Sequence, residues 1–322
     1  MRNRQDWRQG VVTRAEAIAD DVRLLEFAVE GAVPRFDPGS HCNFRVHLAE
    51  GEAIRTYSCL PAAAGHIRVA VKQHEHSRGG SRFMWGLQTG ASVALTLPEN
   101  RFELAWRAPY YLLMAGGIGI TPIYGMALAL QRRGLPFRLV YGGRSRSVMA
   151  FAELLEAELG DRVAVHAGDK GGRIDVAAEI AALPADGELY VCGPIDMLNA
   201  VKTEWAAAGR RMGRLRYEVF GDSGLFAEGP FSVEVAGLGR SVDVRSDQTL
   251  LEALLGAGVE MIYDCQRGEC GLCAVDIIAH EGPIDHRDVF FSAEEKQAGD
   301  RMCACVSRLA SGKAIIDVGY RA

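Results

Sequence analysis

The stretch DCQRGECGLCAVD, residues 264–276, places Cys265, Cys270 and Cys273 within nine positions of a 322-residue chain that holds only eight cysteines. The spacing C-x4-C-x2-C is that of plant-type [2Fe-2S] ferredoxins. Gly268 and Gly271 let such a loop fold its thiolates inward around one end of a small cluster, and backbone N–H groups released there can hydrogen-bond the sulfurs. A structural zinc site is the alternative. Zinc favours paired C-x2-C knuckles or cysteine with histidine, whereas here one C-x2-C stands alone and His280 and His286 lie outside finger spacing. Cys303 and Cys305 follow about thirty residues on. They are two apart, and the expectation is that only one of them can ligate while the other is a small buried hydrophobe. Cys42, Cys59 and Cys192 sit in strand-like runs and read as small buried hydrophobes.

Working outward, the cysteines belong to a β-rich segment that begins at FSVEVAG (from Phe231), carries one helical stretch at TLLEALLGAG and ends in AIIDVGY. Before it, GDSGLFAEGP is glycine-rich and without period, which marks a linker. Between Tyr110 and Phe220 strands and helices alternate: YYLLMA, TPIYGMALALQRRG, FRLVYG, VMAFAELLEAELG, RVAVHAG, RIDVAAEIAAL, ELYVCG, PIDMLNAVKTEWAAAG, RLRYEVF. That alternation predicts a parallel sheet covered by helices. From Val11 to Pro98 short β-branched runs between Gly, Pro and Asp turns predict an antiparallel sheet or small barrel. Three domains result: 1–105, 106–224, and 225–322, the last including the linker.

With 48% hydrophobic and 24% charged residues the composition is that of a globular protein. The formal charge of −5 carries no basic stripe, which argues against nucleic acid as a partner. The opening MRNRQDWRQG lacks the apolar core of a signal peptide, and the greasy segment Tyr110–Ile120 is broken by Gly116, Gly117 and Gly119. The expectation is a cytoplasmic protein with no membrane association, in which clustered cysteines do metal or redox work.

Two further sites are legible. In LLMAGGIGITPI a strand feeds a glycine turn and a helix beginning near Thr121 and Pro122, where glycines let a ligand approach and a helix N-terminus offers N–H groups to a pyrophosphate. ELYVCGPIDML repeats the arrangement, putting Cys192, Gly193 and Pro194 at another strand end. In the first domain, IRTYSCL offers Arg55 as a fork of donors for a phosphate, Tyr57 as a flat face and Ser58 as a hydroxyl, and Gly79, Gly80 and Ser81 open a helix at Arg82.

The motifs RTYS, GGS, GGIGITP, CGP and C-x4-C-x2-C, in that order over essentially the whole chain, resemble the phthalate dioxygenase reductase family. The resemblance implies an antiparallel FMN-binding barrel, a parallel α/β NAD-binding domain of ferredoxin-reductase type, and a C-terminal plant-type ferredoxin of β-grasp fold. It implies that Arg55, Thr56, Tyr57, Ser58, Val71, Lys72, Gly79, Gly80 and Ser81 bind FMN. It implies that Gly116, Gly117, Gly119, Thr121, Pro122, Cys192, Gly193 and Pro194 bind the pyridine nucleotide, with Phe220 covering the flavin ring. In the family the final cluster ligand precedes VSR, which selects Cys305 over Cys303 beside Cys265, Cys270 and Cys273. Asp169 stands where NADPH-specific relatives bind the 2′-phosphate; a carboxylate there repels phosphate and suits a ribose diol, so NADH is expected, although Arg144 and Arg146 speak for NADPH.

The cofactors are then FMN, a [2Fe-2S] cluster and NADH, and no catalytic triad is required. A Rieske centre would need C-x-H and C-x2-H pairs, which the sequence lacks, so oxygen chemistry falls to a partner. The expected function is the NADH-dependent reductase of a Rieske oxygenase, either a ring dioxygenase or an O- or N-demethylating monooxygenase, working as a monomer. The alternatives are a reductase for another acceptor such as a cytochrome P450, and a non-catalytic iron–sulfur redox sensor.

Overall fold

Alternating burial along VRLLEFAV and SHCNFRVHL sets one face of each strand into a core. The strands β1 (Trp7–Ala19), β2 (Val22–Val29), β3 (Ser40–Leu48), β4 (Gly51–Ser58), β5 (His66–Lys72), β6 (Ser92–Thr96) and the short β7 (Glu99–Asn100) form one antiparallel sheet of order β4-β3-β6-β1-β2-β5, with β7 beside β3. An isolated bridge between Leu60 and Arg68 ties the chain just beyond β4 to β5, so the two edges meet. Phe27, Phe44, Ile67, Val69, Met84 and Leu95 fill the interior. Helix α1 (Gly80–Gly86) packs beside β5, where Trp85 Nε1 donates to the Val71 carbonyl at 2.8 Å. This computed structural model describes residues 6–48, 51–73, 79–220, 226–227 and 229–319; most of the expected linker, 221–225 and 228, lies outside the described residues. The chain divides into two compact units, 1–218 and 219–322.

Further along the first unit, β8 (Tyr111–Gly116) is buried at every position, as a central parallel strand must be. Its neighbours give the parallel order β10-β9-β8-β11-β12, from β9 (Phe137–Gly143), β10 (Val163–Ala167), β11 (Glu188–Cys192) and β12 (Leu215–Glu218). Helices α2 (Ile120–Arg132), α3 (Ala152–Leu159), α4 (Val176–Ala182) and α5 (Ile195–Ala207) make the crossovers. Helix α2 starts one residue before the expected Thr121 and stops where Gly134, at φ 64°, supplies the left-handed turn.

In the second unit β13 (Phe231–Val235), β14 (Arg240–Val244), β15 (Ala274–Glu281), β17 (Arg301–Cys303) and β19 (Lys313–Asp317) form a mixed sheet of order β14-β13-β19-β15-β17, and β16 (Ile284–Asp285) pairs with β18 (Arg308–Leu309). Helix α6 (Leu250–Gly256) buries Leu250, Leu251 and Leu254 in the same core as Val233, Val275 and Ile316. Each such aliphatic side chain contributes about 1.5–3 kcal/mol when fully buried. The short α7 (Ala293–Ala298) had no counterpart in the sequence reading. Among the described residues no helix is long and apolar enough to cross a membrane.

Thr249 caps α6: its hydroxyl accepts from Glu252 N at 3.0 Å while the Glu252 carboxylate accepts from Thr249 N at 2.9 Å. Thr249→Ala is expected to destabilise the second unit by about 1 kcal/mol. Chemical denaturation followed by hydrogen exchange of the α6 amides checks this.

Candidate functional site

Strand β4 carries Arg55 to Ser58 opposite Phe44 to His41 of β3. Thr56 Oγ1 donates to Asn43 Oδ1 at 2.6 Å, and the Tyr57 ring meets Phe44 edge-on at 5.6 Å. Arg55 lies along the opening of α1: a Cβ on Gly80 would come within 2.6 Å of its Cγ and 2.9 Å of its Nε. Gly79, at φ 86°, is the N-cap, so the helix opens two residues earlier than Arg82. A guanidinium held beside a glycine-lined helix opening fits a phosphate, which is the anionic end of a flavin mononucleotide. Val71 is buried at the end of β5, and Lys72 Nζ lies 3.2 Å from Asp21 Oδ2. Arg55, Gly80, Val71 and Lys72 thus sit on three adjoining elements.

In the α/β part, the ends of β8 and β11 are packed against each other, with Cys192 in register with Ala115. A Cβ on Gly119 would stand 2.2 Å from the Cys192 carbonyl oxygen, one on Gly116 2.7 Å from Pro194 Cδ, and one on Gly193 2.9 Å from Met197 Sδ. The sequence reading gave these glycines the job of admitting a ligand. Gly117, at φ 53°, has open space around it, whereas a side chain at any of the other three would meet protein. Thr121 Oγ1 donates to the Ile118 carbonyl at 3.0 Å, closing the turn, and Pro122 is buried in the first turn of α2. Asp169 follows β10 in a short 3-10 turn, its N–H donating to the Arg144 carbonyl at 2.9 Å. It lines a cleft of about 690 Å³ together with Arg146, Tyr124 and Phe151. The rings of Tyr124 and Phe151 stack at 4.7 Å, and Phe151 holds an unusual left-handed φ of 63°. Arg146 is forked onto Glu156. Phe220, two residues past β12, is half-buried.

The cysteine loop bends through three left-handed residues, Gln266, Gly268 and Gly271. The two glycines cannot be replaced: a Cβ on Gly268 would come 2.8 Å from Asp288 Cα, and one on Gly271 would enter the Phe290 ring at 2.3 Å. The sulfurs are linked in a series in which Cys270 meets Cys265, Cys265 meets Cys305, Cys305 meets Cys273, and Cys273 meets Cys303. Hydrogen bonds from Cys305 to Cys265, and from Cys303 and Cys305 to Cys273, pull Cys265 and Cys273 down to about 4. Those same bonds push Cys303 and Cys305 up, and burial raises Cys270. Five thiols crowded so that only some can ionise together suit a cationic iron core, which lets the ligating sulfurs all be thiolates. Among the described residues no three His, Cys, Asp or Glu are gathered as for a single metal ion. Strand β17 ends at Cys303 and the chain then turns, with Val306 N and Ser307 N both donating to the Cys303 carbonyl, so both cysteines reach Cys273. Cys305 alone also hydrogen-bonds Cys265.

Sequence reasoning missed the support behind this loop. Asp288 is fully buried, accepting from Ser307 Oγ at 2.8 Å and Phe291 N at 3.0 Å, with His286 Nδ1 3.6 Å away. Burial raises its carboxyl, but His286, Lys296, Phe291 N and Ser307 outweigh that and hold it down to about 2. Val289 N donates to the Gly268 carbonyl at 3.0 Å, which fastens this network to the cluster loop. The available signal was DHRD, a run of polar residues inside a β-rich segment, and it carries no periodicity from which burial could be read.

Residues 9–104 match the oxidoreductase FAD-binding domain, 113–203 the oxidoreductase NAD-binding domain, and 233–310 the 2Fe-2S iron-sulfur cluster binding domain. The chain is 37% identical over 308 residues to the phenoxybenzoate dioxygenase subunit beta of Ectopseudomonas oleovorans, covering 93% of this chain and 94% of that one. Its structure superimposes on phthalate dioxygenase reductase, a solved modular structure for electron transfer from pyridine nucleotides to [2Fe-2S], with TM-score 0.79, 29% identity and coverage of 97% and 98%. An intact type IV self-sufficient cytochrome P450 monooxygenase matches with TM-score 0.67 and 33% identity, over 96% of this chain and 41% of that one.

Cys305→Ser is expected to lose iron and acid-labile sulfide, while Cys303→Ser retains both. Metal analysis and visible absorption of the two variants, purified anaerobically, decide between the neighbours.

Proposed function

The chain belongs to the phthalate dioxygenase reductase family, and we propose that it is the NADH-dependent electron-transfer component that supplies a separate terminal oxygenase. Support comes from a flavin domain, a nucleotide domain and a cluster-binding domain in one polypeptide, matched almost end to end by the reductase of known modular structure. When bound, FMN and a [2Fe-2S] centre convert a two-electron hydride donor into single-electron steps.

The residues divide that work. Arg55, with Gly79, Gly80 and Ser81, holds the flavin phosphate; Thr56, Tyr57, Ser58, Val71 and Lys72 hold the rest of the flavin, and Phe220 covers its ring. FMN is favoured over FAD because the resemblance is to the FMN branch, in which the flavin phosphate is held by the GGS turn. The turn at Gly117 and the first turn of α2, with Thr121 and Pro122, take the nucleotide pyrophosphate. Gly116, Gly119, Cys192, Gly193 and Pro194 shape the rim beside it. Asp169 accepts from a ribose diol and repels a 2′-phosphate. Cys265, Cys270, Cys273 and Cys305 ligate the cluster, with Cys303 packed in the core. The protein works as a cytoplasmic monomer, and its acceptor is a ring dioxygenase or a demethylating monooxygenase. The likeness to a fused cytochrome P450 supports a second reading, in which the acceptor is a P450 haem protein.

Anaerobic NADH is expected to bleach flavin and cluster absorption together in the purified protein. In Cys270→Ser the flavin should still bleach while no reduced-cluster EPR signal forms; a chain that binds flavin yet ignores NADH would sink the reductase reading. Asp169→Ser is expected to narrow the NADH-over-NADPH preference in kcat/KM by about tenfold or more, since several kcal/mol of like-charge repulsion disappear.

A further inference from the structure

The cleft that Asp169 lines has an aromatic wall, the stacked rings of Tyr124 and Phe151, and a rim of charge. Three arginines line it, Arg14, Arg68 and Arg146, and each guanidinium is engaged by a carboxylate. Arg14 Nη2 lies 2.6 Å from Glu16 Oε1, and Arg68 Nε donates to Glu26 Oε2 at 2.6 Å. Arg146 is held by both ends of its fork: Nη1 donates to Glu156 Oε1 at 2.9 Å, and Nη2 donates to Glu156 Oε2. Glu153 adds a further carboxylate beside Asp169 in the lining.

A phosphate monoester carries about two negative charges at neutral pH, and a guanidinium with its fork open is the side chain that holds it best. Arg146 is placed for that role. Asp169 N donates to the carbonyl of Arg144, two residues before Arg146, so the arginine and the carboxylate assigned to the ribose stand on turns tied together. Arg144 itself is exposed and meets this turn through its carbonyl. The fork to Glu156 occupies both Nη atoms of Arg146. Their mutual hydrogen bonds are the largest cause that raises the Arg146 guanidinium and lowers the Glu156 carboxyl, so both stay charged at neutral pH. An ion pair this near the surface is modest in strength, so it imposes a graded preference against phosphate and not an absolute bar.

We propose that Glu156, on α3, is a specificity-determining positioning residue for the nicotinamide nucleotide: by keeping the Arg146 guanidinium forked, it denies a 2′-phosphate the cation that would neutralise it. This rests on the reading of Asp169 as the acceptor for a ribose diol. The NADH preference then has two sources, repulsion at Asp169 and withdrawal of Arg146. The arginine that speaks for NADPH in the sequence is cancelled by a glutamate ten positions further on.

The test is calorimetric titration of the full chain with 5′-AMP and with 2′,5′-ADP, two ligands that differ only in the 2′-phosphate and are read without turnover. The wild-type chain is expected to favour 5′-AMP. Glu156→Gln should tighten 2′,5′-ADP about fivefold relative to 5′-AMP. The Glu156 side chain is 43% exposed, so the fold tolerates this change. The gain should vanish when Arg146→Gln is added to Glu156→Gln, which identifies Arg146 as its agent. With ferricyanide as electron acceptor, Glu156→Gln should show the same gain as a lower KM for NADPH at unchanged kcat. A gain that survives the loss of Arg146 overturns the proposal. A wild-type chain that prefers 2′,5′-ADP overturns the reading of Asp169 itself, whereas a preference for 5′-AMP that Glu156→Gln leaves unmoved overturns this inference alone.

Discussion

Where Gly119 passes the carbonyl of Cys192 there is no room for a side chain, since a Cβ would stand 2.2 Å from the oxygen. This close approach seats the end of β8 against the end of β11, and the nucleotide end of the first unit is built on it. Gly116 and Gly193 repeat the constraint one step away, each filled by the other's turn. The result is a continuous rim from two strands adjacent in the sheet but far apart in sequence. Only Gly117 is left facing outward. The rim is therefore rigid at its base and open at one residue, which suits a site that must hold an extended dinucleotide without reshaping for it.

The cysteine loop is governed by a different tension. Left-handed backbone at Gln266 costs free energy that Gly268 and Gly271 avoid, and crowded thiols resist ionising together. Neither penalty is relieved within the loop itself. The backbone is held from behind by the Val289 to Gly268 hydrogen bond and by the buried Asp288, Ser307 and Phe291 network. The charge problem is relieved by metal, so folding of this region and cluster binding are thermodynamically linked. Two buried arginines extend the network: Arg287 is paired with Asp285 at 2.7 Å, and Arg308 donates to the Ser246 and Gly229 carbonyls.

Short-range patterns in the sequence were readable because their physics is short-range. Cys265, Cys270 and Cys273 lie within nine positions, so their spacing alone constrains what they can hold. The strand–glycine–helix passage at residues 111–132 was readable because a fully apolar run followed by left-handed-tolerant residues has few other solutions. Cys303 and Cys305 were separable only through the resemblance. An extended strand was assumed through both, whereas β17 stops at Cys303 and the following turn brings Cys305 to Cys265 as well as Cys273.

The sequence by itself determined the order of the three domains, the C-x4-C-x2-C loop and the candidate phosphate-binding turns, because each is written in contiguous residues with a local conformational preference. Folding in three dimensions sets which glycines face protein and which face open space, and buries Asp288 behind the cluster loop where it meets Ser307 and Phe291. These depend on residues far apart in sequence, such as Gly119 and Cys192, arriving at one place. Burial and hydrogen-bond satisfaction are properties of that arrival, and no local pattern records them.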